Sequence, residues 1–183
     1  MKKWLVLAVA AVTFIATPAM AKEGFYLGAY LLPSVTISGD AGTGIDSGSG
    51  YGFRAGLGFN RYFSIEGTYS KTKHDLSGGS TADLTGLAAD LKLNFPLTSL
   101  DSAQVMTLEP YVLLGYSINY ELKSPSGSSS GNGARFGIGI ELYLFRELSV
   151  NAGWTRTNLS FDSPINADGN IRTFDVGVIY HFI

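Results

Sequence analysis

Between residues 24 and 182, large apolar side chains alternate with small, polar or charged ones. That period of two is the spacing of a β-strand, whose successive side chains point to opposite faces. Eight segments carry it: "GFYLGAYLL", "GFRAGLGF", "FSIEGTY", "TGLAADLKLNF", "PYVLLGYSINYEL", "ARFGIGIELYL", "LSVNAGWT" and "FDVGVIYHF". In the second, Phe53, Ala55, Leu57 and Phe59 share one face, and Arg54, Gly56 and Gly58 the other. In the last, Phe174, Val176, Val178, Tyr180 and Phe182 stand opposite Asp175, Gly177, Ile179 and His181. The chain is therefore all β.

Alternation alone does not choose between a wet sandwich and a barrel in lipid. Three further features do. The strands are long, roughly 10 to 15 residues, whereas soluble strands average five or six and a tilted membrane strand needs about 9 to 11. The polar face is rich in glycine, which suits the crowded interior of an eight-stranded barrel. The connections also alternate in length. Asn60-Arg61 and Phe145-Arg146-Glu147 are tight and "PLTSLDSAQVM" is of medium length, while "GDAGTGIDSGSG", "DLSGGST", "KSPSGSSSGN" and "DSPINADGN" are long and polar. Short turns on one side and long loops on the other is the outer-membrane arrangement, and an even strand number puts both chain ends on the short-turn side.

Aromatic residues gather near strand ends, as interfacial girdles do. Phe59, Tyr62, Phe63, Phe95, Phe145, Tyr180 and Phe182 form the expected lower girdle, and Tyr51, Tyr69, Tyr120, Phe136 and Phe174 the upper. Pro110 is expected near a rim, where its missing N–H is tolerated.

The first 21 residues belong to a different pattern. Lys2 and Lys3 precede an apolar run from Trp4 to Ile15, and Ala19 and Ala21 stand where a signal peptidase reads small residues. The run is too short for a membrane-spanning helix. A signal peptide over 1–21 and a single barrel domain over 22–183 are expected. Removing the leader leaves 11 basic against 15 acidic residues, a net charge of −4. No basic stripe offers itself to nucleic acid. Cysteine is absent, which excludes disulfides, thiolate metal sites and a lipid-bearing cysteine.

The stretches "GFYLGAY", "EPYVLLGY", "GIGIELYLFRELSVNAGW" and "DVGVIYHF" resemble the small eight-stranded outer-membrane barrels of the OmpA, OmpX and opacity-protein type. The resemblance covers the mature chain as a pattern, and no peptidoglycan-binding domain is expected after the eighth strand. It implies an up-and-down transmembrane barrel in a Gram-negative-type envelope. Outer-membrane lipid, lipopolysaccharide and the barrel-assembly machinery follow as its partners. It also implies a C-terminal assembly signal on Asp175, Gly177, Tyr180 and Phe182, with Ile183 following the last aromatic.

By register the interior should hold Arg54, Lys92 and Arg135 with Glu66, Asp90, Glu109, Glu121, Glu141 and Asp175. Burying such charges singly is costly, so they should pair. Glu121 with Arg135 is one expected pair, and Glu66, Asp90, Lys92 and Glu141 a second cluster. A closed polar plug is preferred to a conducting lumen because eight strands leave little bore. With six acids to three bases, any leak should favour cations.

Catalysis is not expected. His74 and His181 are the chain's two histidines, and neither shows a triad's logic in sequence, so both read as surface or rim residues. Asp40, Asp46, Asp162, Asp168 and Asn170 lack the spacing of a calcium loop and read as turn residues. No cofactor or metal is expected. The expected role is structural or interactive, through four mobile loops on a monomer of unknown external partner, and minor solute permeation is the secondary reading. A lipid-A-modifying enzyme and a soluble lipocalin-type barrel are the rival readings, and the inward charges speak against the second.

Overall fold

The computed structural model describes residues 23–97, 107–125, 127–162 and 167–182. Eight strands run β1 Gly24–Gly39, β2 Gly48–Gly58, β3 Phe63–Asp75, β4 Thr81–Asn94, β5 Thr107–Ser124, β6 Gly127–Tyr143, β7 Leu148–Phe161 and β8 Asp168–His181. Each pairs antiparallel with its neighbours, and β1 closes on β8 as a barrel. Closure leaves no open strand edge, the condition for crossing hydrocarbon with β structure. The expected signal peptide with Ala19 and Ala21, most of the medium link, and Ile183 lie outside the described residues.

Local chemistry explains the tight end. Asn60 Oδ1 accepts the backbone N–H groups of Tyr62 at 2.8 Å and Phe63 at 2.9 Å, turning the chain between β2 and β3. Leu144 donates to the Leu148 carbonyl at 2.9 Å to close the β6–β7 turn.

The long-loop end departs from expectation. Most of "KSPSGSSSGN" is ladder: Lys123 pairs with Ser128 and Ser124 with Gly127, so β5 and β6 rise as one tall hairpin. Serine and glycine have weak strand preference. Here the residue just past β7 supplies compensation, because buried Ser129 donates to the Asp162 carbonyl at 2.6 Å.

Two bulges reset the faces. In β1 one extra residue falls at Pro33-Ser34, between Leu32 opposite Gly50 and Val35 opposite Gly48. Pro33 costs the ladder nothing there, because a bulge leaves its residue unpaired. In β5 the extra residue falls at Ile118-Asn119, between Ser117 opposite Gly133 and Tyr120 opposite Gly131. Beyond each bulge the inward parity flips. Tyr120 and Leu122 are buried inside, and Glu121 and Lys123 stand on the outer face. Two expectations are corrected: Glu121 is not an interior charge, and Tyr120 belongs to the core, not to the upper girdle. The simple alternation carried past Asn119 assigned both to the wrong side.

The outer wall of the middle band is apolar and open, with Leu31 66% and Phe53 55% exposed. So wide an exposed apolar surface belongs against lipid or a partner, not water. Inside, two layers stack. Toward the tight turns the interior is polar and charged. Toward the long loops it is an apolar core of Leu32, Val35, Ile37, Ala82, Leu84, Tyr120, Leu122, Leu159, Phe161 and Ile171. Large and small residues interlock across strands: Gly56 lies against Tyr26, Gly52 against Tyr30, Gly139 against Tyr111 and Gly86 against Tyr120. A methyl group at any of these glycines would overlap the ring.

Candidate functional site

The interior charges are set by strand parity, and the ladders bring them to two levels. In the middle, Arg54 from β2 reaches Asp175 of β8 at 2.6 Å and Glu66 of β3 at 3.6 Å. Asn151 donates to the same Asp175 oxygen at 2.9 Å, and the Arg54 guanidinium lies 4.5 Å from the Tyr30 ring centre. Arg135 from β6 crosses to Asp90 of β4 at 3.4 Å and reaches Thr68 at 3.4 Å. It does not meet Glu121, which pairs on the outer face with Lys123 at 3.0 Å.

The lower level sits above the tight-turn mouth. Lys92 of β4 contacts Glu141 of β6 at 2.5 Å and packs 4.4 Å from the Tyr111 ring centre. Tyr26 donates to Glu66 at 3.1 Å and so links the two levels. Glu109 is fully buried and lies directly opposite Glu141 in the β5–β6 ladder. The expected foursome of Glu66, Asp90, Lys92 and Glu141 is thus divided: Lys92 and Glu141 stay together, Glu66 joins Arg54 and Asp90 joins Arg135. With Glu121 outside, five acids and three bases face inward among the described residues.

Sequence reasoning missed a third group at this mouth. Ser149, His181 and Glu141 come within hydrogen-bond reach of one another. Ser149 donates to Glu141 Oε1 at 2.6 Å, and His181 Nε2 lies 3.0 Å from Ser149 Oγ and 3.1 Å from Glu141 Oε1. The residue types are those of a hydrolytic triad, but the wiring differs. A triad needs the carboxylate on the nitrogen opposite the one that takes the serine proton. Here one nitrogen faces both partners and the serine proton is held by the carboxylate. Ser149 is also wholly buried. The adjoining pocket, lined by Tyr26, Lys92, Glu141, Tyr143 and His181 among others, leaves about 10 Å³, the room of about one water.

His74 also departs from the surface reading. It is buried beneath the β1–β2 connection, where Nδ1–H donates to the Asp46 carbonyl at 3.0 Å and Nε2 accepts from Thr72 at 3.0 Å. Asp168 accepts from Ser160 at 2.7 Å, as a turn residue does. Of the assembly-signal residues, Asp175 and Gly177 face inward while Tyr180 and Phe182 face out. The Phe182 ring lies 4.9 Å from Tyr180 and 5.6 Å from Phe25 across the closing ladder.

A closed eight-stranded barrel with this inverted exterior matches a known pattern in sequence as well. The family model of the outer membrane protein beta-barrel domain matches residues 7–182. The chain belongs to that family. Membership in the outer membrane β-barrel family implies an outer-membrane location. Among solved structures, Neisserial surface protein A is similar at a TM-score of 0.63 and 16% identity, over 87% of this chain and 98% of that one. Ail, the attachment invasion locus protein of Yersinia pestis, is similar at 0.53 and 14%, over 87% and 99%. Ail is also known in complex with the heparin analogue sucrose octasulfate, and that structure is similar at 0.53 and 15%, over 87% and 99%. At these identities the likeness is one of fold. Among curated proteins none matches in sequence.

Proposed function

We infer that this member of the family is a closed, structural barrel whose upper rim meets the cell's surroundings. It is exported through the signal peptide of residues 1–21, works as a monomer, and carries out no catalysis. Its partners are outer-membrane lipid, lipopolysaccharide and the barrel-assembly machinery, and nucleic acid is not among them. One observation carries the reading: the interior is filled along its whole height. An ion would have to part Lys92 from Glu141 and Arg54 from Asp175, then cross the apolar layer of Leu32, Ile37, Leu84, Leu122 and Ile171. Paired buried charges resist separation, and an apolar layer offers a permeant ion no replacement for its water. The surface and attachment roles in the names of the two structural neighbours agree with a rim that faces outward.

Three measurements test this. The mature protein in planar bilayers should give no resolved conductance steps, and a stable cation-selective current would overturn the plug. Outer-membrane fractions should contain a heat-modifiable band, which reports location and closure together. A deletion strain should keep its lipid A profile, whereas a changed profile would point to an enzyme. For the assembly signal, Phe182→Ala should lower the amount of assembled barrel severalfold more than deletion of Ile183 does; equal losses would place the signal one residue further on.

A further inference from the structure

Above the apolar band, the outer wall carries several cations, and their surroundings differ. Lys71 lies 3.5 Å from Asp83, and Lys123 lies 3.0 Å from Glu121. Lys73 stands opposite Asp83 in the β3–β4 ladder, whereas Arg156 of β7 and Arg172 of β8 face no acid across any ladder. They stand directly opposite each other in the β7–β8 ladder, both exposed, and neither has an acidic partner among the described residues. Like charges directly opposite on adjacent strands are destabilising. Arg156 is held by neutral oxygens: it donates to Asn158 Oδ1 at 3.2 Å and to Asn170 Oδ1 at 2.8 Å. Those contacts orient the guanidinium without neutralising it, and each amide keeps its NH2 for another acceptor.

The pair's height is as telling as its charge. Two ladder pairs below, Trp154 faces Phe174, the last large apolar residues on the outer face of these strands. Two guanidinium groups immediately above an aromatic pair at the lipid boundary meet the level of lipid headgroups. Lower on β8, an open apolar groove runs over the outer wall, bordered by Val176, Val178, Ala29, Leu31, Tyr51 and Phe53. It exists because Ala29 is small between larger neighbours. Val176 lies four residues below Arg172, about 13 Å along the strand, well within the length of an acyl chain.

We propose that Arg156 and Arg172, with the amides of Asn158 and Asn170, bind a phosphate of an outer-leaflet phosphoglycolipid whose acyl chain lies in the groove beneath. Guanidinium forks match phosphate oxygens in geometry as well as charge. The site rests on the chain being an outer-membrane barrel with its long loops outside, yet it is testable on the purified protein whatever its location or conductance.

The test uses the mature barrel in neutral detergent with diphosphoryl lipid A, enzymatically dephosphorylated lipid A and inorganic phosphate as probes, read by native mass spectrometry. Arg172→Gln with Arg156→Gln should weaken retention of diphosphoryl lipid A at least about tenfold, and Lys at both positions should keep most of it. The dephosphorylated lipid should bind wild type and double variant equally weakly. Equal retention of diphosphoryl lipid A by wild type and double variant overturns the proposal. So does equal binding of the two lipids by the wild type. Full competition by equimolar inorganic phosphate would mean that the site reads the free ion, and the lipid source fails.

A second readout separates binding from structure. The Arg172 side chain makes no hydrogen bond among the described residues, so Arg172→Gln alone should leave lipid-free stability equal or raised. Earlier unfolding of that variant without lipid would make the pair structural, and the proposal would fall.

Discussion

The lower and upper halves of this barrel are built from the same strands with opposite polarity. Below, apolar side chains face out and Arg54, Glu66, Lys92, Glu141 and Asp175 face in. Above, Leu84, Leu122 and Ile171 face in and Asp83, Glu121 and Arg172 face out. The solvent decides. Where lipid surrounds the wall, polar groups can be satisfied only inside; where water surrounds it, the usual arrangement of a soluble core returns. Two devices achieve the inversion. β1 and β5 shift parity with a bulge, whereas β4 keeps its parity and changes composition, from Asp90 and Lys92 inward to Ala82 and Leu84 inward.

The sharpest way to break this comparison is to remove a charge from the lower half. Arg54→Leu leaves Asp175 and Glu66 without their counter-charge in a dry interior, and should cost about 3–5 kcal/mol in urea unfolding from detergent. Adding Asp175→Asn and Glu66→Gln to that variant should recover most of the loss, since a fully neutral set no longer needs the cation. If Arg54→Leu is tolerated, the lower half is wetter than described. Next in size, Ile171→Ala in the upper half should cost about 3 kcal/mol, as in a soluble core. A near-neutral result would mean that water already reaches Ile171. The smallest effect belongs to the outer wall above the lipid. Lys71→Ala, which removes the half-exposed pair with Asp83, should cost about 0.5 kcal/mol or less and become unmeasurable in high salt.

Much of the lower half was legible in the sequence, because period-two alternation under lipid has one stable reading. It put Arg54, Glu66, Asp90, Lys92, Glu109, Arg135, Glu141 and Asp175 on the polar face, and the ladders place those side chains inside. The pairing was less legible. Which acid meets Arg135 depends on barrel stagger, and a hairpin partner such as Glu121 was the wrong place to look. The upper half was misread for a different reason. An extra residue in a strand leaves little trace in a sequence, so the parity of Tyr120 and Glu121 could not follow from counting. The signal that was available is the change in β4 at Gly86, where apolar residues switch to the former polar face. Ser149 and His181 share their cluster only because β6, β7 and β8 converge at one mouth, a juxtaposition with no local spacing to announce it.

The closing ladder between β1 and β8 differs from the other seven in one respect: no hairpin prepares it. Each other strand meets a sequence neighbour through a connection of limited length, but Tyr26 must find His181 across nearly the whole chain. Contacts between such distant residues come at a high loop-closure entropy, so this seam forms last. Its lower end is fastened by the Phe182 N–H on the Phe25 carbonyl at 2.9 Å and by the two rings beside it. The ring of strands therefore has a single clasp, and until it shuts the barrel is an open sheet with two unpaired edges. Any machine that inserts this protein must shield those edges until the last few residues arrive.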